Sequence, residues 1–332
     1  MPMFKKHFMH QKMMTKVLIA LLPILLMAIY QFGWRVVLLL AVVLVAGSAA
    51  ELFVMQQIQK DKVKLTEACF VTCALFTLSL PPATPIWVAV VGIVFGIVFA
   101  KAAFGGFGYN IFNPALVARC FVYVAFPTHL TYNWTEPFRG FPAGLTAFSG
   151  GVDMLTHATP MIGMKAGGEL PPLSDLFFGL TSGSLGETSA LLILLAAIYL
   201  IWTKTASWKI MVSTVASAGI LTTIFYLTGV TPTPPQYMLL SGGLLYAAVF
   251  MATDPVSAPK GEEAKWIFGV MIGSFAVIIR RFSLFTEGIM FAILIANALT
   301  PLLERNIREW KNKAAAKAKA AVAAQGKEEA AR

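Results

Sequence analysis

The chain has 332 residues, 58% hydrophobic and only 13% charged, with a mean hydropathy of +0.73 and a formal net charge of +10. That balance excludes an ordinary soluble domain, which has no way to shield so much apolar surface from water, and marks an integral membrane protein. The positive charge implies no nucleic-acid partner, since no basic patch interleaved with aromatics lies outside the C-terminal tail.

A helix needs about 20 mostly apolar residues to cross a bilayer, and about ten segments qualify, some of them short. Lys5 and Lys6 precede the first, near 16–31, and a second follows at once near 34–57, so the start reads as true spans and not as a cleavable signal peptide. Three more lie near 66–80, 85–103 and 113–127. After a long polar stretch come 187–203, 208–229, 236–252, 265–280 and 285–303. With the N-terminus cytoplasmic, only Arg35, Arg139, Lys165, Arg280 and Arg281 of the 26 basic residues fall outside, and Arg119 falls within a span. This asymmetry predicts both termini inside and the long loop on the outer face.

The expected fold is therefore an all-α integral membrane protein of about ten transmembrane helices in two five-helix halves. The halves would be 1–127 and 187–304, joined by an outer loop at 128–186 and followed by an Ala/Lys/Glu-rich tail at 305–332, either a solvated cytoplasmic helix or a disordered end. An odd number of spans per half inverts the second relative to the first, a common transporter plan. Leu78-Ser79-Leu80-Pro81-Pro82-Ala83-Thr84-Pro85 and Met251-Ala252-Thr253-Asp254-Pro255-Val256-Ser257-Ala258-Pro259 punctuate the two halves alike. A tryptophan follows each, Trp87 and Trp266, with a basic residue fourteen positions beyond, Lys101 and Arg280. These junctions read either as helices broken within the membrane, which tend to line binding sites, or as ordinary surface loops.

Ionisable groups in a bilayer cost several kcal/mol and mark an ion path or a buried partner. Glu51, Glu67, Glu187, Asp254 and Glu287 all stand near helix ends. Glu67, Glu187, Asp254 and Glu287 are the candidate ion-path acids, with Glu67 foremost; the alternative for Glu67 and Glu187 is stabilisation of a helix start. Cys69, Cys73 and Cys120 offer no disulfide framework or complete metal set and read as small packing residues. In Gly105-Gly106-Phe107-Gly108-Tyr109-Asn110-Ile111-Phe112-Asn113-Pro114, Asn113 is placed to cap a helix that Pro114 opens. Asn110 and Asn113 either face a shared pocket suited to a heterocycle or form a capped turn with no ligand. Between the halves, Gly150 to Met161 is a polar island containing Thr156-His157-Ala158-Thr159-Pro160.

Six blocks together resemble one family: Glu67 to Thr72 with Leu80-Pro81-Pro82; the glycine and asparagine run ending at Leu116, with Arg119; Asp153 to Thr159; Gly183 to Ala190; Phe250 to Pro255; and Glu287 to Met290. The family unites the RnfD component of the Rnf ferredoxin:NAD oxidoreductase complex with the NqrB component of the sodium-pumping NADH:quinone reductase. The blocks stand in the family's order from about residue 12 to 304. The short N-terminus and Gly168-Glu169-Leu170-Pro171-Pro172 resemble the Rnf branch more closely, while His157 departs from the glycine of the quinone-reductase motif.

The resemblance implies a flavoprotein subunit of a redox-driven Na+ or H+ pump in a bacterial or archaeal cell membrane, inactive or nearly so alone. It implies FMN joined as a phosphoester to Thr159, with Asp153 and Ala158 in the motif that an external flavin transferase engages. It also implies a noncovalent riboflavin near Asn110 and Asn113, partner subunits carrying further redox centres, and an architecture similar to urea and ammonium channels. The competing class is a non-redox channel or secondary transporter, which has no need of the Ala158-Thr159 loop.

Overall fold

Uncharged runs of Leu, Ile, Val and Ala condense into helices in an apolar medium because a helix satisfies its own backbone hydrogen bonds. A computed structural model describes residues 8–59, 64–131, 134–148, 163–164, 170–283 and 287–330. Its first half contains α1 (Lys12–Phe32), α2 (Arg35–Gln59), α3 (Glu67–Leu78), α4 (Ile86–Ala100) and α5 (Pro114–Ala125). Two short helices follow, α6 (Pro127–Thr131) and α7 (Leu173–Phe178). Then come α8 (Ala190–Trp202), α9 (Trp208–Leu227), α10 (Pro235–Leu240) and α11 (Leu244–Tyr246), which runs into a π-helical turn at Ala247–Met251. The chain closes with α12 (Glu262–Phe282) and α13 (Ile289–Ala330).

Among the described residues, four stretches are long and apolar enough to cross a bilayer: Lys12–Phe32, Arg35–Ile58, Ile86–Phe104 and Trp208–Leu227. By contrast α3, α5 and α8 have 12, 12 and 13 residues. At 1.5 Å per residue they reach about 18–20 Å, well short of a hydrocarbon core of about 30 Å. They form the heart of the molecule, where Phe76, Leu78, Leu80, Leu116 and Tyr246 are fully buried.

The Pro81-Pro82 junction that ends α3 is itself buried. Its freed carbonyls are satisfied by protein: Leu185 N donates to Leu80 O at 3.0 Å and Gly186 N to Leu78 O at 2.6 Å. That pairing lets irregular backbone stand in the interior. The first junction is therefore a break inside the fold, and the second, around Thr253 to Pro259, is partly buried.

Helix contacts follow side-chain size. Gly269 and Gly273 of α12 face Ser213 and Ser217 of α9 so closely that a Cβ would sit 1.9 and 2.1 Å from the serine hydroxyls. Small residues four apart let two membrane helices come together in this way. In the first half α2 lies on α4 and α4 on α5; in the second α9 lies on α12 and α12 on α13.

Three features differ from the sequence expectation. The segment 236–252 is interrupted at Ser241-Gly242-Gly243, where Gly242 takes φ 66° and the helix cannot continue. Phe8–Met9 (β1) pairs in parallel with Leu65–Thr66 (β2), a two-residue ribbon too short to show in a periodicity. The last span and the helical alternative for the tail form one element, Ile289–Ala330, continuous through Pro301 and across the boundary expected near 304.

Candidate functional site

Two polar centres lie inside this apolar bundle. The first is built on α5. Arg119, 3% exposed, lies in the middle of that helix and points its guanidinium at two glutamates on other parts of the chain. It donates to Glu187, ahead of α8, and to Glu287, ahead of α13, and makes a further bond to Ser184 Oγ at 3.3 Å. The guanidinium fork suits this bridging geometry and stays charged in any surroundings. Arg280, at the end of α12, adds a second buried cation and donates to Met238 O at 2.8 Å, while its Nε and Nη2 have no partner among the described residues. Two cations and two anions, all buried, leave the centre formally neutral.

The second centre surrounds a cavity of about 50 Å³ lined by Asn110, Asn113, Lys101, Thr253, Asp254 and apolar side chains from α1, α3 and the π-helical turn. Asn113 caps α5 as its sequence position predicts, its Oδ1 accepting from Ala115 N at 3.0 Å and Leu116 N at 3.4 Å. Its Nδ2 donates to Met251 O at 3.2 Å, tying the cap to the π-helical turn. The Asn110 amide donates to Phe112 O at 3.1 Å. Asp254 accepts from Ser257 N at 3.2 Å and Ser257 Oγ at 2.7 Å. Amides beside a carboxylate suit a heterocycle's donors and acceptors, but this volume holds only a few waters. A tricyclic ring needs a pocket of about 300 Å³ or more, so the donor chemistry fits riboflavin and the cavity volume does not.

Beside this cavity Lys101 forms a buried ion pair with Glu51 at 2.8 Å, and Thr66 Oγ1 joins both, accepting from Lys101 and donating to Glu51 at 2.9 Å each. Glu67 belongs to neither centre. It binds the segment leading into α1: His10 Nδ1 at 2.5 Å, Gln11 N at 2.7 Å and Thr15 Oγ1 at 3.0 Å.

Of the sequence-predicted site residues, the fold thus joins Glu187 with Glu287, gathers Asn110, Asn113 and Asp254, and sets Glu67 apart. Thr159, Asp153 and Ala158 lie outside the described residues. Sequence reasoning did not assign a role to Arg119, although it stands midway along the predicted span 113–127, which was the available signal. The Glu51–Lys101 pair was equally unassigned, because only the tertiary fold brings α2 to the end of α4.

Short helices ending at buried junctions, with charges paired in an apolar interior, define a multi-span membrane protein built to hold charge within the bilayer. The chain matches the NQR2, RnfD, RnfE family over residues 1–313, and it belongs to that family. It is 36% identical over 300 residues to the RnfD component of the Na(+)-translocating ferredoxin:NAD(+) oxidoreductase complex of Acetobacterium woodii, covering 89% of this chain and 88% of that one. It is 40% identical over 253 residues to the NqrB component of the Na(+)-translocating NADH-quinone reductase of Azotobacter vinelandii, and 38% over 252 residues to that of Pseudomonas paraeruginosa. Each of those two matches covers 73% of this chain, which spans about 60% of the length of these relatives.

Proposed function

We propose that this protein is a flavin-bearing membrane subunit of a redox-driven Na+ or H+ pump, working with partner subunits and matured by a flavin transferase. The observation that carries the reading is the family match over residues 1–313, together with relatives named as subunits of two Na+-translocating oxidoreductases. Coverage favours the ferredoxin:NAD branch, since the match takes in 88% of that relative and 60% of the quinone-reductase components. The NqrB component of the quinone reductase is the second reading. A channel or carrier without redox chemistry fits the helices but leaves the Thr159 motif without purpose.

In this reading the chain is an inner-membrane protein of about ten spans in two inverted five-helix repeats, similar in architecture to urea and ammonium channels. The parallel packing orders, α2–α4–α5 and α9–α12–α13, support the repeat. Both termini face the cytoplasm and the Thr159 loop faces outward, as the lysine and arginine distribution favours. Flavins when bound supply the electron-transfer chemistry, and the chain supplies attachment, position and electrostatics. Thr159 offers the hydroxyl for FMN, Ala158 leaves it accessible and Asp153 stands where the transferase engages the loop. Riboflavin at Asn110 and Asn113 requires Met13 and Met14 to swing away from the cavity they line, which flexible thioether side chains permit. Glu67, Glu187, Asp254 and Glu287 are the acids offered to the ion path.

Thr159→Val keeps side-chain shape and removes the only atom able to form the phosphoester. The flavin fluorescence that survives denaturing electrophoresis of the parent is expected to vanish in this variant and to persist in Thr156→Val. Covalent fluorescence retained in the Thr159 variant refutes the attachment site.

A further inference from the structure

The predicted cytoplasmic side carries a second hollow that the redox reading does not use. It is a cleft of about 410 Å³ between the α8–α9 turn, the segment after the π-helical turn and the start of α12, and it shares Thr205, Thr253 and Pro255 with the small cavity's wall. Among the described residues, Lys204, Lys209, Lys260 and Lys265 line it with a single acid, Glu262. Lys209 at 2.7 Å and Lys265 at 2.6 Å bridge Glu262 and hold its carboxyl down at about 2, so it stays ionised and its charge is already matched. Lys204 and Lys260 take no part in these bridges, although Lys260 N donates to Glu304 at 2.6 Å. Lys16 reaches the same rim, donating to Thr203 O at 3.0 Å. Four lysines thus meet one glutamate along the wall of the cleft, with Lys16 and Glu304 bonded to backbone beside it.

Loops at this side of a membrane are basic in general, so charge alone does not define a ligand. The apolar surround does. Trp208 lines the cleft, Trp266 packs on it edge to face with centroids 5.6 Å apart, and Trp202 follows the lining residue Ile201 in the chain. Each is exposed, and each has an exposed apolar residue one helical turn away on the same face: Ile198, Val212 and Val270 respectively. Tryptophan favours the boundary between headgroups and acyl chains. With these loops on the inner face, such side chains set the cleft at headgroup level beside the acyl region.

We propose that this cleft binds an anionic phospholipid, its phosphate and headgroup among the lysines and its acyl chains along the tryptophan-flanked helix faces. Basic pockets between transmembrane helices on the cytoplasmic side recognise such headgroups. Lys204 sits at φ 53°, in the left-handed region that residues other than Gly, Asn and Asp rarely adopt. The proposal rests on the inner-face placement of these loops and is independent of the electron-transfer reading. Labelling of Lys260→Cys by a membrane-impermeant maleimide, from the cytoplasmic side only, checks that placement separately.

The test uses the full chain extracted with its co-purifying partners, stripped of lipid in detergent and titrated with dioctanoyl phosphatidylglycerol, dioctanoyl phosphatidylcholine or inorganic phosphate while thermal melting is followed. The variants are Lys204→Gly and Lys260→Gln, singly and together. Phosphatidylglycerol is expected to raise the melting temperature, and neither phosphatidylcholine nor phosphate to match it. Each variant is expected to weaken phosphatidylglycerol binding about fivefold, the equivalent of about 1 kcal/mol per lysine near an anionic surface. Lys204→Gly relieves the positive φ, so without lipid it should melt at or above the parent, which separates lost binding from lost folding. Equal shifts with both lipids, reproduction of the shift by phosphate alone, or undiminished phosphatidylglycerol binding in the double variant would each overturn the proposal. Loss of partner subunits from a variant that still binds phosphatidylglycerol as the parent does overturns it too, and makes the cleft an intersubunit contact.

Discussion

At the scale of single residues, the question is what a buried charge does when its partner is removed. Arg119 holds Glu187 and Glu287 at once, so Arg119→Leu strands two carboxylates in the interior. Breaking a buried pair from one side costs about 3–5 kcal/mol, comparable with the whole stability of many domains. The variant is expected to accumulate poorly in membranes, and addition of Glu187→Gln, which leaves Glu287 to balance Arg280, to restore at least part of the folded protein, as measured by size-exclusion profile and melting. An Arg119→Leu protein that melts like the parent would show that the centre is not a structural keystone. Glu67 poses the opposite case. Its carboxylate takes three hydrogen bonds from the chain's own N-terminal segment, so anchoring and ion handling compete as explanations. Glu67→Gln keeps size and one acceptor oxygen but removes the charge an ion would meet, and a barrier raised by about 1.4 kcal/mol slows a step about tenfold. Ion-coupled turnover in membrane vesicles should fall by about that factor with flavin content unchanged. Unaltered ion dependence, with α1 loosened, would assign Glu67 to anchoring.

At the scale of elements, contact between helices is set by the side chains that are missing. Gly273→Val drives a branched side chain into Ser217 and the Thr214 carbonyl, and because the obstacle includes backbone the helices must part. Overpacking of this kind costs about 1–3 kcal/mol; the melting temperature in detergent is expected to drop, with Ser217→Gly rescuing only part of it because the carbonyl remains. A melting temperature equal to the parent's would mean that α9 and α12 do not rely on this approach. The same elements show what a sequence reveals and what it conceals. Hydropathy located α9, read as 208–229 and found at Trp208–Leu227, and α3, read as 66–80 and found at Glu67–Leu78, because apolar length is a local property. The Asn113 cap was legible for the same reason, being a relation among neighbours. The break at Ser241 to Gly243 was not, since apolar residues on both sides mask a turn that depends on one residue's φ. Nor were the charge pairs, because Glu187 and Glu287 reach Arg119 only through the packing of three separate elements.

At the scale of the whole molecule, family membership, contacts and composition draw a common boundary near the end of the chain. The family match stops at residue 313. Beyond the bundle, α13 keeps touching the rest of the protein through Glu304 on Lys260 N at 2.6 Å and through Lys311 on Glu263 at 2.7 Å. Both contacts lie before residue 313, and the side chains from Lys313 to Ala316 are exposed. A continuation rich in Ala, Lys and Glu has little apolar side chain to bury and strong helix propensity of its own, so it has little to contribute to the stability of the bundle. Truncation after Asn312 leaves both contacts in place and removes only that continuation. The exposed side chains from Lys313 to Ala316 lie where changes usually move stability by less than about 0.5 kcal/mol. The truncated chain is therefore expected to reach the membrane at the parent's level, keep its melting temperature within about 2 °C and co-purify with the same partners. Loss of the assembled complex, with the isolated chain still folded, would make the tail a docking segment for a partner protein and carry the functional boundary of the protein past the boundary of its family.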